Sequence, residues 1–257
     1  MPRRARKKSN SGIYHIIIRG INRQNIFEDE EDNQNFIHAL RHYKEISGYE
    51  VYAYCLMGNH VHLLLKIVNE PLEQVMRRIC GSYVYWYNRK YERIGNLFQD
   101  RFKSEPVEDD AYFLTVLRYI HQNPYKAGLV KNIANYDWSS YGEYVSENMN
   151  KSALVDVHFL LNIFNEDKKK AVKQFVDFHG ELQEDNCMDI EDNFRITDQE
   201  AREIIKKLCN IRSAPELQKM NKQQRNSYIK QLKEEYSMSI RQIERLTGIN
   251  RGIIYNA

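Results

Sequence analysis

The sequence predicts an α+β protein: a ferredoxin-like antiparallel sheet with helices on one face, followed by an all-α C-terminal region. Three observations predict it. In the first half, short β-branched or aromatic runs alternate with longer segments of helical period, in the order strand, helix, strand, strand, helix, strand, helix. Only Gly58-Asn59 separates the two middle strands, which makes them an antiparallel hairpin. Past Asp137-Trp138-Ser139-Ser140-Tyr141 the composition becomes helical.

Taken in order, Ile13-Tyr14-His15-Ile16-Ile17-Ile18-Arg19 is a first strand. Residues 30–47 place Phe36, Ala39, Leu40, Tyr43 and Ile46 at helical spacing. Residues 49–56 alternate aromatic and aliphatic side chains, and the His60 strand follows the turn. A second helix over 72–89 carries Val75, Ile79, Tyr83 and Trp86 on one stripe. Residues 102–107 form a further strand. Asp109 or Asp110 caps a third helix that runs to about Asn123, where Pro124 stops it and Tyr125 leaves the helix. Residues 157–164 and 168–178 make two short helices.

The chain of 257 residues is long enough for one large core with an appendage, or for two domains. No apolar run approaches the roughly 20 residues of a membrane span, and no secretory leader opens the sequence, so a cytoplasmic location is expected. Cys55, Cys80, Cys187 and Cys209 are widely spaced and form no CxxC pair, which argues against a zinc knuckle or a disulfide framework. Net charge is only +3, but it is uneven. Arg3, Arg4, Arg6, Lys7 and Lys8 open the chain without an acid, which suits an arm on phosphates or a plain solvated tail. Residues 181–193 hold no lysine or arginine and read as an acidic linker. From Ile196 onward twelve basic residues face seven acidic ones. The expected organisation is a basic arm (1–9), a sheet domain (10–147), a helical extension (148–180), an acidic linker (181–195) and a helical domain (196–257).

The chemistry concentrates at His60 and His62 in Met57-Gly58-Asn59-His60-Val61-His62-Leu63-Leu64-Leu65. On a strand, residues i and i+2 share a face, so both imidazoles can address one divalent metal while Val61 and Leu63 enter the core. Two imidazoles need a further ligand. Asn123 supplies an amide oxygen, and Tyr119, four residues earlier on the same helix face, sets its phenol beside whatever the metal polarises. Tyr112 and Tyr125 are rival nucleophiles, His121 points elsewhere, and His15 either touches DNA or serves the core or sheet edge. Arg19, Arg23, Arg101 and Lys103 are candidate phosphate contacts or simple solvated charges.

Asn59-His60-Val61-His62-Leu63-Leu64 resembles the HUH motif of the single-tyrosine HUH transposases, and Tyr119-Ile120-His121-Gln122-Asn123-Pro124-Tyr125-Lys126-Ala127-Gly128-Leu129-Val130 resembles their tyrosine helix. Within that family the chain resembles the REP-associated tyrosine transposases and their relatives in insertion sequences. Tyr14-His15-Ile16, Arg19-Gly20-Ile21-Asn22-Arg23, Leu97-Phe98-Gln99-Asp100-Arg101-Phe102 and Trp138-Ser139-Ser140-Tyr141 follow the family's order over roughly residues 10 to 145. The resemblance implies a DNA strand transferase. Its His60, His62 and Asn123 would bind Mg2+ or Mn2+, and Tyr119 would attack a scissile phosphate in single-stranded or hairpin DNA to form a 5′-phosphotyrosine. Imidazole ligands favour Mn2+ over the harder Mg2+. Monomers and homodimers that exchange tyrosine helices are both compatible with it. The alternatives are a DNA-binding regulator that no longer cleaves and a rolling-circle-type nicking endonuclease.

Near the end, Ser239 with Gln242 reads as a capping box, Gly248 as a helix stop and Asn250 as the next cap. Ile240, Ile243, Leu246, Ile249 and Ile253 supply an apolar seam, and residues 225–233 a further basic helix. This segment resembles helix-turn-helix domains such as the C-terminal domain of the bacterial replication initiator, which would turn Asn250, Arg251 and Tyr255 toward bases. The other reading is a small helical bundle for packing or dimer contacts.

Overall fold

The computed structural model describes residues 6–146, 154–181, 185, 187–189, 198–236 and 238–257. Arg3 and Arg4 of the expected arm, residues 148–153 of the extension and most of the expected linker lie outside the described residues. The chain divides into two compact units, Met1–Asp189 and Ile190–Ala257.

In the first unit, β1 (Ile13–Arg19), β2 (Glu50–Met57), β3 (His60–Lys66) and β4 (Lys103–Pro106) form one antiparallel sheet in the order β2-β3-β1-β4. This is the ferredoxin-like order. Met57 pairs with His60 across the Gly58-Asn59 turn, so the hairpin is as short as expected. The crossover helices α1 (Glu30–Ser47) and α2 (Leu72–Lys90) pack on each other. A reciprocal cap starts α1: the Asp29 carboxylate accepts from the Asp32 N–H at 3.1 Å, and the Asp32 carboxylate accepts from the Asp29 N–H at 3.2 Å. Lys90 Nζ then bonds Asp29 at 2.7 Å and Asp32 at 3.0 Å, tying the end of α2 to the start of α1.

The five residues from Val61 to Leu65 are all fully buried. Because successive side chains alternate, both sheet faces must be covered. One face meets α1 and α2, as the ferredoxin-like plan requires. On the other, α3 (Asp110–Lys126) crosses β2 and β3. The Asp109 side chain caps α3 by accepting the Tyr112 N–H at 2.8 Å.

The expected stop at Pro124 is not observed. Pro124 and Tyr125 lie inside α3. The helix ends instead in a left-handed Gly128 (φ 71°), with the Gly128 N–H on the Tyr125 carbonyl and the Leu129 N–H on the Pro124 carbonyl, both 2.9 Å. That pair of bonds is a Schellman motif, and it lets the helix carry a proline in its last turn.

The short α4 (Tyr141–Val145) and the pair α5 (Val157–Phe164) and α6 (Lys168–Gly180) buttress α3. Ser140 is the pivot. Its Oγ accepts from the Tyr54 N–H at 2.9 Å and lies 2.8 Å from His121 Nε2. His121 Nδ1 lies 3.0 Å from His179 Nε2, and His179 Nδ1 bonds the Phe175 carbonyl at 2.8 Å. His121 is fully buried and purely structural in its contacts, as its position on α3 implies.

The second unit comprises α7 (Asp198–Cys209), a 3-10 turn (Ala214–Lys219), α8 (Lys222–Glu234), α9 (Ile240–Thr247) and α10 (Arg251–Asn256). Ile205, Leu217, Ile229, Leu232, Ile243, Leu246 and Ile254 belong to its separate core. The Ser239 hydroxyl caps α9, left-handed Gly248 (φ 75°) ends it, and Asn250 Oδ1 caps α10 by accepting the Gly252 N–H at 2.8 Å. The Gln242 side chain reaches across to Asp198 at 3.2 Å. None of the described helices is long and apolar enough to cross a membrane.

Candidate metal and nucleophile site

Strand pairing sets the first half of the site. Ile17 lies opposite His62 and His15 opposite Leu64, so His15 and His62 are diagonal neighbours on one sheet face. His60 shares that face at the strand end, with its ring centroid 5.0 Å from that of His62. Val61 and Leu63 face the other way and are fully buried.

Hydrogen-bond partners orient both candidate ligands, and for His60 an amide partner sets the tautomer. Asn59 Nδ2 donates to the Arg23 carbonyl, so its Oδ1 must accept from His60 Nδ1–H at 2.6 Å. The His60 lone pair is then on Nε2. For His62, Nδ1 lies 3.2 Å from His15 Nε2, while Nε2 is buried and has no hydrogen-bond partner. Burial, helped by His60 and His15, pushes the His62 imidazolium well below the ordinary histidine range, so the ring is neutral and keeps its lone pair. An orphaned, buried imidazole nitrogen costs about 1–3 kcal/mol unless something binds it. The residues present therefore fit a divalent metal.

The helix α3 brings the second half. The Tyr119 ring stands edge-on to His62 at 5.6 Å and to His15 at 5.8 Å. Burial first, then the Asp189 carboxylate, pushes its phenol well above the ordinary tyrosine value. Asn123 Nδ2 donates back to the Tyr119 carbonyl at 3.0 Å. Lys126 Nζ sits 5.4 Å from the centre of the Tyr119 ring. Among the described residues, no group of three or more His, Cys, Asp or Glu side chains could hold a metal.

The other predicted positions divide. Arg19 pairs with His60 across β1 and β3, and the Arg23 carbonyl meets Asn59, so both border the histidines. Gly20 lets this loop close: a Cβ there would fall 2.2 Å from the Gln24 carbonyl oxygen. Arg101 and Lys103 are exposed at the β4 side of the sheet. Arg6 of the basic arm lies against the Phe102 ring at 3.8 Å and donates to the Phe102 carbonyl. In the second unit, Asn250 spends its side-chain oxygen on its own helix, and Arg251 is paired with Glu244. Of the rival tyrosines, Tyr112 bonds Glu105, and Tyr125 is partly exposed.

Sequence reasoning missed two neighbours. Glu105 Oε1 lies 2.8 Å from His15 Nδ1 and accepts from the Met188 N–H at 3.0 Å. Burial raises that carboxyl, but the bonds from His15, Tyr112 and Met188 outweigh it and hold it below the usual range. Asp189 stands beside the Tyr119 hydroxyl. The segment bearing Asp189 is anchored upstream, where Arg118 makes a buried two-point pair with Asp185 at 2.6 and 2.9 Å. Only the direct opposition of His15 and Glu105 in a β1–β4 pair could have signalled the first, and that register is not local information.

Residues 8–123 match the family model described as "Transposase IS200 like". A curated relative from Haemophilus influenzae, named "Putative REP-associated tyrosine transposase", is 24% identical over 146 residues, covering 52% of this chain and 81% of its own length. A solved structure of a REP-associated tyrosine transposase bound to a REP hairpin is similar at a TM-score of 0.50 and 19% identity, covering 57% of this chain and 87% of that one. That likeness concerns the fold.

Proposed function

We propose, taking as premise that the domain at residues 8–123 belongs to the IS200-like transposase family, that the protein cleaves and rejoins single-stranded DNA through Tyr119. The observation that carries this reading is the orphaned His62 Nε2 beside the Tyr119 ring. His60, His62 and the Asn123 oxygen would hold Mg2+ or Mn2+, with two imidazoles favouring Mn2+. When bound, that ion supplies Lewis-acid polarisation of the scissile phosphate.

The chain's own residues do the rest. Tyr119 Oη forms a bond to phosphorus as the phosphorus–O3′ bond breaks, and the phenol's proton ends on the released 3′-oxygen. The product is a 5′-phosphotyrosine and a free 3′-hydroxyl. One phosphodiester replaces another, so the 3′-hydroxyl can attack in reverse and no nucleotide is consumed. Lys126 offsets charge gathering near the phenol, while Arg19 and Arg23 take flanking phosphates, with Arg101 and Lys103 further along the strand. A hairpin beside the cleavage point is the natural substrate, by analogy with the hairpin-bound relative. The C-terminal helices would add duplex or hairpin contacts through Arg251 and Tyr255, in a cytoplasmic protein that acts as a monomer or homodimer.

Hairpin-bearing single strands mixed with the protein and Mn2+ should give a covalent adduct on a denaturing gel. Tyr119→Phe should abolish the adduct while hairpin binding persists. Adducts that survive the change would place the nucleophile elsewhere.

A further inference from the structure

We propose that His38 and His42, on the outer face of α1, form a second cation site that takes a borderline first-row ion such as Cu2+, Ni2+ or Zn2+ through two imidazole nitrogens. The chain has eight histidines. His15, His60 and His62 meet on the α3 side of the sheet, and His121 and His179 are buried together where α3 meets α6. His38 and His42 belong to neither group, and the strand-transfer scheme does not use them. Both are exposed.

Local geometry brings the two together. Residues four apart on a helix lie one above the other, with Cβ atoms about 5–6 Å apart. The two rings face each other, with centroids 6.3 Å apart and planes within 4° of parallel. Half-buried Tyr43 stands edge-on to His42 at 4.9 Å and steadies that ring. The helix is itself held at both ends, by the Asp29–Asp32 cap and by left-handed Gly48 (φ 66°). Zinc sits about 2.0–2.1 Å from an imidazole nitrogen, so a shared ion needs two nitrogens about 3 Å apart. Exposed rings reach that spacing by turning about their Cβ–Cγ bonds, with no change in the helix.

Two helical histidines at this spacing hold zinc in metalloproteases, where a glutamate between them acts as the base. Here Ala39 stands in the glutamate's place, so the pair is built to bind and not to hydrolyse. Among the described residues no third His, Cys, Asp or Glu joins the pair, so water completes the shell. Such a donor set favours ions high in the Irving–Williams order, with Cu2+ at its top and Mn2+ at its foot. The two sites therefore select different ions.

The test titrates Cu2+ alone into the full chain, followed by calorimetry and electron paramagnetic resonance. His38→Ala and His42→Ala should each lose one bound Cu2+ relative to the wild type, together with its imidazole nitrogen couplings. His62→Ala should keep that ion, so the α1 site stands or falls apart from the catalytic reading. Both α1 variants should melt without metal as the wild type does and should still form the Tyr119 adduct with Mn2+, which separates loss of the site from loss of the fold. Unchanged Cu2+ binding in both α1 variants overturns the site. Loss in only one of them overturns the shared ion, since the cation would then rest on a single imidazole.

Discussion

At Tyr119 two side chains act in opposite senses on the same oxygen. Asp189 disfavours the phenolate and would repel an arriving phosphate, whereas Lys126 near the ring favours negative charge. Asp189→Asn is therefore expected to speed adduct formation by a few-fold, as loss of one exposed charge is worth on the order of 1 kcal/mol. Slower adduct formation in a quenched time course would show that the carboxylate takes the phenol's proton. That His60 and His62 share one strand face and Tyr119 and Asn123 one helix face was legible, because each pair lies within four residues, where strand or helix geometry alone fixes the shared face. Glu105 and Asp189 were not, since their approach depends on strand register and on a segment some 70 residues beyond Tyr119.

The helices and strands repeat this division. The start of α3 was readable because an aspartate side chain takes a backbone N–H three residues on, whereas α1 was read from its apolar spacing and its Asp29 cap was missed. The end of α3 was misread because a proline was weighted over the glycine four residues later, although Gly128 and Leu129 carry the bonds that close the helix. That Schellman end is what keeps Asn123 on a regular turn with Tyr119. Gly20 is a sharper case. Its φ of −63° is open to any residue, yet a side chain there would strike backbone, so Gly20→Ala should cost about 2–4 kcal/mol and lower the melting temperature. A variant that melts with the wild type would mean that the loop joining β1 to α1 relaxes freely. In the second unit, Ser239→Ala should cost about 1 kcal/mol through loss of the α9 cap.

Across the first unit, the burial of His121 and His179 makes stability depend on pH. Burial, with His179 as neighbour, holds His121 well below the ordinary imidazole value, and burial lowers His179 from 6.5 to about 4. Between those values the unfolded chain takes up protons that the folded chain refuses. Stability is thus complete above about pH 6.5 and falls as the pH drops toward 4, by about 3 kcal/mol for His179 alone. Urea unfolding at pH 7.5 and pH 5 should show the fall, and His179→Asn should flatten it; parallel curves would assign acid sensitivity to other groups. The buried pair of Arg118 and Asp185 carries a practical warning for anyone who shortens this chain. A fragment meant to isolate the sheet unit has to run through Asp189. Cut at Gly180, it strips Arg118 of its counter-charge and Glu105 of an amide donor, and the damage would be blamed on the missing C-terminal helices.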